Sequence, residues 1–253
     1  MFLANNLGTY KLRLQRLVGA KRSPFRRVVR RAGKLWLSWR YRSFSPDAVT
    51  SRYVKVAGLS LILEPTVFNP NLHFTSEFLA RYLRREGVIG STNRVLDMGT
   101  GSGLLAISAA LAGARQVTAV DLNPAAVLAA RMNVSLYGLA GKVNVVHGDM
   151  FDPVAGECFE VVVCNPPYLR GEPSSRGTLA YMAGDDFQWL RRFSQSAADY
   201  LMPGGRCLLV LADSTDLSSV LRIFSDGGWS VRRMAIRDLI VERLFIVELQ
   251  KPR

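Results

Sequence analysis

The sequence predicts an α/β fold: a doubly wound, mostly parallel seven-stranded sheet behind a basic N-terminal extension. Three observations predict it. From Arg94 onward, short Val-rich runs alternate with longer amphipathic stretches, the pattern of strand-helix-strand units in a parallel sheet. The run Phe159–Cys164 is apolar at every position but Glu160, as a central strand buried on both faces requires. Residues 1–46 hold twelve Lys or Arg and no acid, so the remaining 33 − 12 = 21 basic residues face all 20 acids. The net charge of +13 therefore describes an arm, taken as residues 1–50, and not the domain spanning residues 51–253.

The elements follow in order. The arm scatters Leu12, Leu14, Leu17, Val28, Val29, Leu35, Trp36 and Trp39 among its charges, with Pro24 dividing them. It reads either as two short basic amphipathic segments or as a solvated tail. Residues 53–62 predict a strand or hairpin, and Asn69-Pro70-Asn71 a turn. Residues 75–85 predict a helix with Phe78, Leu79 and Leu83 on one side. Strands are predicted at 94–97, 116–121, 142–146, 159–164 and 206–212. Helices between them fall at 103–113, 124–137 and 187–201, and Asn123-Pro124 supplies a cap and first-turn proline for the second. A helix at 215–225 precedes two runs, 229–236 and 241–249, that predict a closing hairpin.

Composition bounds the function. A chain of 253 residues, 49% of them hydrophobic, suits one α/β domain with an appendage. The three cysteines, Cys158, Cys164 and Cys207, form no paired spacing and lie in apolar runs, which predicts buried thiols and a reducing cytoplasm. Two histidines, His73 and His147, with no Cys/His cluster leave no zinc site. No apolar run reaches the roughly 18 residues of a membrane span. The arm lacks the continuous apolar core of a secretory signal, although an Arg-rich, acid-poor start is compatible with an organellar transit peptide. Its charge suits polyanions: RNA, DNA, a ribosome surface or an anionic membrane. Trp36, Trp39 and Tyr41 add rings that can stack on unpaired bases or enter a headgroup layer.

In a doubly wound sheet, ligands sit beyond the carboxyl ends of the strands, where the strand order reverses. The first strand of the alternation runs into Asp97-Met98-Gly99-Thr100-Gly101-Ser102-Gly103. Glycines there let the backbone turn and approach a ligand closely. The dinucleotide pattern GxGxxG would need a third glycine at position 104, where the chain has Leu104. Asp97 also suits a cofactor carrying positive charge better than a pyrophosphate. Asp121, 20 residues after Gly101 and followed by Leu122, is placed to accept from ribose hydroxyls. Asp149 ends the third strand, placed for an adenine amino group, with Met150 against the ring. One acid at a strand end is usually a cap; three on successive strands beside a glycine turn point to a nucleoside.

The remaining motif is Asn165-Pro166-Pro167-Tyr168, directly after the apolar strand. A planar NH2 group needs hydrogen-bond acceptors before its nitrogen can attack, and an Asn carbonyl beside a rigid Pro-Pro backbone supplies them. As a structural element alone, the tetrapeptide is a tight turn.

On Val95–Gly103, Asp121, Asp149 and Asn165–Tyr168, the chain resembles class I S-adenosylmethionine-dependent methyltransferases, a Rossmann-like fold. Within these it resembles the HemK-type group: protein-glutamine N5 and nucleic-acid N6-adenine methyltransferases. The resemblance covers roughly residues 55–250. Residues 179–186 are similar to the segment that follows NPPY in glutamine methyltransferases. Glu64 to Pro70, with Thr75, is similar to the segment that covers the cofactor. The resemblance implies S-adenosyl-L-methionine as cofactor, held by Asp97, Gly99, Thr100, Gly101, Gly103, Asp121, Leu122, Asp149, Met150, Asn165 and Thr75. It implies that the Asn165 side-chain oxygen and the Pro166 carbonyl accept the target N–H bonds, with Pro167 keeping the turn rigid and Tyr168 stacked on the flat group. Guanine-N2 and cytosine-N4 enzymes carry close relatives of NPPY. A short basic arm replaces the helical N-terminal domain of bacterial release-factor methyltransferases.

The expectation is an N-methyltransferase acting on a macromolecule, with protein glutamine (a release factor or another protein) ahead of RNA or DNA adenine. A small-molecule amine or amide comes third. Two rivals are a non-catalytic binding module of the same fold and a nicotinamide-dependent oxidoreductase. Among secondary candidates, His73 is a possible proton acceptor, and Glu172 and Arg176 are possible substrate contacts. Arg191-Arg192 reads as an exposed helix face and His147 as a strand end.

Overall fold

A seven-stranded sheet forms because the central runs are apolar on both faces and must be covered by helices on each side. The computed structural model describes residues 51–71, 74–175, 178–239 and 242–251. The basic arm, His73 and Arg176 lie outside the described residues. A hairpin comes first: β1 (Arg52–Val56) pairs antiparallel with β2 (Leu59–Leu63). Helix α1 (Phe74–Arg85) follows, then β3 (Arg94–Met98), α2 (Leu104–Leu111), β4 (Gln116–Asp121), α3 (Pro124–Leu136), β5 (Val143–His147) and β6 (Phe159–Cys164). Helix α4 (Gln188–Ser196), β7 (Leu201–Ala212), α5 (Leu217–Asp226), β8 (Ser230–Asp238) and β9 (Arg243–Gln250) complete the chain.

The strand order is β5-β4-β3-β6-β7-β9-β8. Five strands, β5 to β7 in that order, are parallel, and β9 inserts antiparallel between β7 and β8. The predicted closing hairpin is therefore present. The chain winds outward from β3 to β5, then returns to place β6 on the other side of β3. The reversal point lies between β3 and β6, so the glycine turn after one and Asn165 after the other share one end of the sheet.

Alternation along each strand divides the core in two. Val95, Val117, Val161, Val163, Leu208 and Ile246 pack with α1, α2 and α3. Leu96, Met98, Val120, Val162, Leu209 and Phe245 pack on the other face with Leu190 and Phe193 of α4 and Val220 and Phe224 of α5. On β6, Val161 to Cys164 are all fully buried, as expected of a central strand.

Most boundaries lie within about two residues of expectation, and the largest difference falls at one place. The helix foreseen over 187–201 ends at Ser196 and continues as one 3-10 turn, Ala197–Tyr200. Strand β7 begins at Leu201 rather than at 206, because Leu201 pairs with Phe159 and Arg206 with Val161, leaving Met202 to Gly205 as a bulge. Gly205 permits it: a Cβ there would meet Met202 O at 2.8 Å and Phe159 O at 3.1 Å. Of the thiols expected to be buried, Cys164 and Cys207 are, but Cys158 is only half-buried, since it precedes β6 rather than lying in it.

Candidate active site

The turn after β3 is built by backbone conformations open to glycine. Gly99, Gly101 and Gly103 have φ of 74°, 57° and 84°. Gly103 also lies tight against α3: an added Cβ would sit 3.2 Å from Ala130 Cα. Gly99 N and Thr100 N both donate to Val120 O at 2.9 Å, fastening the turn to β4.

Asp97 lies beneath this turn. It is fully buried, and its Oδ2 accepts from Thr100 Oγ1 at 2.7 Å and from Ala106 N at 2.9 Å. Its Oδ1 is buried without a hydrogen-bond partner. Burial pushes its pKa up to about 7, against the opposing effect of those two hydrogen bonds. Asp121 closes the next strand, where its Oδ2 accepts from Gly101 N at 2.8 Å and its Oδ1 from Asn123 N at 2.9 Å. Burial raises its pKa as well.

A cavity of about 380 Å³ opens between the tips of β3, β4 and β6. Of the residues expected to hold a cofactor, Gly99, Thr100, Gly101, Asp121, Leu122, Asp149, Met150 and Asn165 line it. Asp97 and Gly103 are absent from its wall; both are buried in the turn, one as hydrogen-bond anchor and the other as the helix entry. Thr75 is also absent from the wall; its neighbour Ser76 is there instead. Thr75 is buried, with its Oγ1 unpartnered. A helix turns about 100° per residue, so Thr75 and Ser76 point in different directions.

Asn165 is the chemically distinctive group. Its Nδ2 donates to Ser76 Oγ at 2.8 Å, across from the start of α1. That bond fixes the amide plane and leaves Oδ1 as a buried acceptor without a partner. A buried orphan acceptor costs on the order of 1–3 kcal/mol, so it marks a place where a donor belongs. In the extended segment that follows, side chains alternate. Asn165 and Pro167 line the cavity; Pro166 and Tyr168 do not. Tyr168, expected to stack on a flat group, instead packs against the second core cluster.

Two segments cover the cavity. Thr66, Val67, Phe68 and Pro70 form one side, as the segment from Glu64 to Pro70 was expected to do. Asn123 Nδ2 holds Thr66 through its O and Oγ1, both at 3.3 Å. Glu172, Pro173, Leu179, Ala180, Met182, Ala183 and Gly184 form the other. This second segment is bound to the residues after NPPY: Leu169 N donates to Tyr181 O at 3.0 Å and Ala183 N to Leu169 O at 2.8 Å. The rings of Phe68 and Tyr181, 5.3 Å apart, join the two covers. Glu172, a candidate substrate contact, does line the wall. Arg192 is exposed, as expected, and also lines the wall, where it pairs with Asp149 at 2.8 Å. No local signal reveals that pair, since its members lie 43 residues apart. His147 ends β5, with its Nε2 3.0 Å from Leu122 O. Among the described residues, no three His, Cys, Asp or Glu side chains form a metal site, and no helix is long and apolar enough to cross a membrane.

Comparison with known proteins places this geometry. The chain is 37% identical over 137 residues to a ribosomal protein uL3 glutamine methyltransferase of Bordetella pertussis, covering 49% of this chain and 45% of that protein. It is 37% identical over 166 residues to a release factor glutamine methyltransferase of Gloeobacter violaceus, covering 60% and 57%. Across four such bacterial relatives, the matched region spans 45% to 62% of their length. Among solved structures, the ribosomal protein L11 methylase of Lactobacillus delbrueckii subsp. bulgaricus superposes with a TM-score of 0.57 at 20% identity, covering 76% of this chain and 84% of that one. The family model for the methyltransferase small domain matches residues 58–226, which include the glycine turn, all three strand-end acids and Asn165 to Tyr168, and the chain belongs to that family.

Proposed function

We propose that the chain is an S-adenosylmethionine-dependent N-methyltransferase that acts on the side-chain amide of a protein glutamine. The observation that carries the reading is the Asn165 amide, oriented by Ser76, with a buried unpartnered oxygen at a cavity of about 380 Å³.

The residues present fit the cofactor. Gly99 to Gly101 give the backbone close approach, Asp121 and Asp149 are the acceptors for ribose and adenine donors, and Met150 flanks the base. Asp97 Oδ1 is an unpartnered buried acceptor beneath the turn, matched to a positively charged group. When bound, S-adenosylmethionine supplies an electrophilic methyl carbon. The chain's own contribution is positioning. Asn165 Oδ1 accepts one N–H of the target amide, and the family resemblance assigns the other to the Pro166 carbonyl, although Pro166 is not itself part of the cavity wall. Both draw the nitrogen out of conjugation with its carbonyl and stabilise the positive charge that develops on it. Pro167 keeps the backbone rigid. No strong base is required, because the proton can leave after the methyl has arrived.

Protein glutamine is favoured over nucleic-acid adenine by two things. Four bacterial relatives that the chain resembles are named for glutamine methylation of ribosomal protein uL3 or release factors. The segment at 179–186, similar to its counterpart in glutamine methyltransferases, contributes Leu179, Ala180, Met182, Ala183 and Gly184 to the cavity that Asn165 also lines. The basic arm favours RNA or DNA instead, through phosphate contacts that carry no sequence choice. Incubation with S-adenosylmethionine and a recombinant release factor or uL3, followed by mass spectrometry, tests the reading. One added methyl on a glutamine is expected. Methyl groups on total RNA and none on protein would transfer the assignment to adenine. Asn165→Ala should lower transfer at least ~100-fold while cofactor affinity changes little; a variant with full turnover would remove Asn165 from the mechanism.

A further inference from the structure

We infer that Arg192 is a positioning residue for adenine: it fixes the Asp149 carboxylate so that one oxygen is presented to the exocyclic amine of the cofactor. This inference rests on the methyltransferase reading above.

Asp149 follows β5, on the outer edge of the sheet, and Arg192 lies one turn into α4 on the sheet's second face. Both line the cavity, and Arg192 Nη2 donates to Asp149 Oδ2 at 2.8 Å. The pair thus joins two elements that no local sequence relation connects. Met150 beside it has φ of 47° and is buried at 7% exposure, so the backbone at this turn is held in a form that suits few side chains. A carboxylate has two oxygens and about four acceptor sites. Pairing Oδ2 with a guanidinium leaves Oδ1 for a ligand donor. Without Arg192, an Asp side chain that is 38% exposed turns freely in water and must be ordered when the cofactor binds.

Asp149 and Arg192 are 38% and 56% exposed at their side chains, so the pair itself contributes little to folding stability. Its effect belongs to ligand binding. The one adenine feature it reads is the N6 amine, which accounts for discrimination against bases that lack it.

Calorimetric titration tests this with two probes: S-adenosylhomocysteine, and its analogue bearing unsubstituted purine in place of adenine. The unaltered chain should prefer the adenine compound by ~10-fold or more, the worth of one hydrogen bond to a charged acceptor. In Arg192→Gln, affinity for S-adenosylhomocysteine should fall ~5-fold while the purine analogue changes less than ~2-fold, so that the preference shrinks. Arg192→Lys should restore part of it, because an ammonium still pairs with the carboxylate. Equal losses for both ligands, or an unchanged preference, would overturn the role of Arg192 while leaving the methyltransferase reading intact. A chain that binds neither compound would overturn both.

Discussion

In the proposed mechanism Asn165 acts through an oxygen that the fold leaves without a partner. Its other amide atom is committed to Ser76, so the two residues function as a unit. Ser76→Ala should let the amide rotate and lower kcat ~10-fold with a small change in cofactor affinity, whereas Ser76→Thr should keep most activity. Single-turnover rates at saturating cofactor measure this. Asp97 makes a different prediction. Its pKa rises from 3.8 to about 7 in the folded chain because burial penalises its charge. Between those values the native state holds a proton that the unfolded chain has lost. Stability therefore falls as pH climbs from about 4 to about 7, and levels off above. In the proposed reading a cationic cofactor group lies beside Asp97 and prefers its ionised form, so binding should release a proton below about pH 7 and tighten as pH rises to that value. Calorimetry in two buffers of different ionisation enthalpy measures the release. Asp97→Asn should abolish both the release and the pH slope.

At the scale of elements, the glycine turn is a constraint on α2 and α3 as much as a ligand loop. Gly103 has positive φ, and a Cβ there would sit 3.2 Å from Ala130 Cα in α3, a tight contact that α3 must yield to. Gly103→Ala should cost roughly 1–3 kcal/mol in chemical denaturation, the left-handed penalty plus the displacement of α3. Gly101→Ala pays the same backbone penalty with nothing within 4 Å, so its stability loss should be smaller and its loss of cofactor affinity larger. The covering loop is likewise an element held at defined points. Arg170 lies over the Phe187 ring at 4.4 Å and pairs with Asp216 at 3.5 Å, which ties the residues after NPPY to the starts of α4 and α5.

At the scale of the whole molecule, the N-terminal hairpin is docked to the sheet domain by Asn133. Its Oδ1 accepts from Ile62 N at 2.7 Å, and its Nδ2 donates to Ile62 O and to Ser102 O, both at 2.8 Å. One fully buried side chain thus joins β2, α3 and the glycine turn. Asn133→Leu leaves three backbone groups without partners and should cost about 2–4 kcal/mol. Because β2 leads into Thr66 to Phe68, the same variant should raise KM for the cofactor more than it lowers kcat. Thermal unfolding with and without S-adenosylhomocysteine separates the two effects.

The sheet, its two buried faces and the cofactor loop were legible in the sequence, because each is a local property. A Val-rich run such as Val161 to Val163 has no other stable place, and a Gly-rich turn after a strand has one use at a switch point. Asp121, Asp149 and Asn165 were legible for the same reason, each marking the end of a strand. Three matters were decided only by tertiary structure. Ser76 rather than Thr75 faces the cavity, since the rotation of α1 is set by its packing against α2 and not by its own pattern. Tyr168 is half-buried against the second core and is not part of the cavity wall. Arg192 meets Asp149 across 43 residues of sequence, an encounter that depends on where β6 re-enters the sheet. Local pattern determines which residues can do chemistry; strand order determines which of them meet.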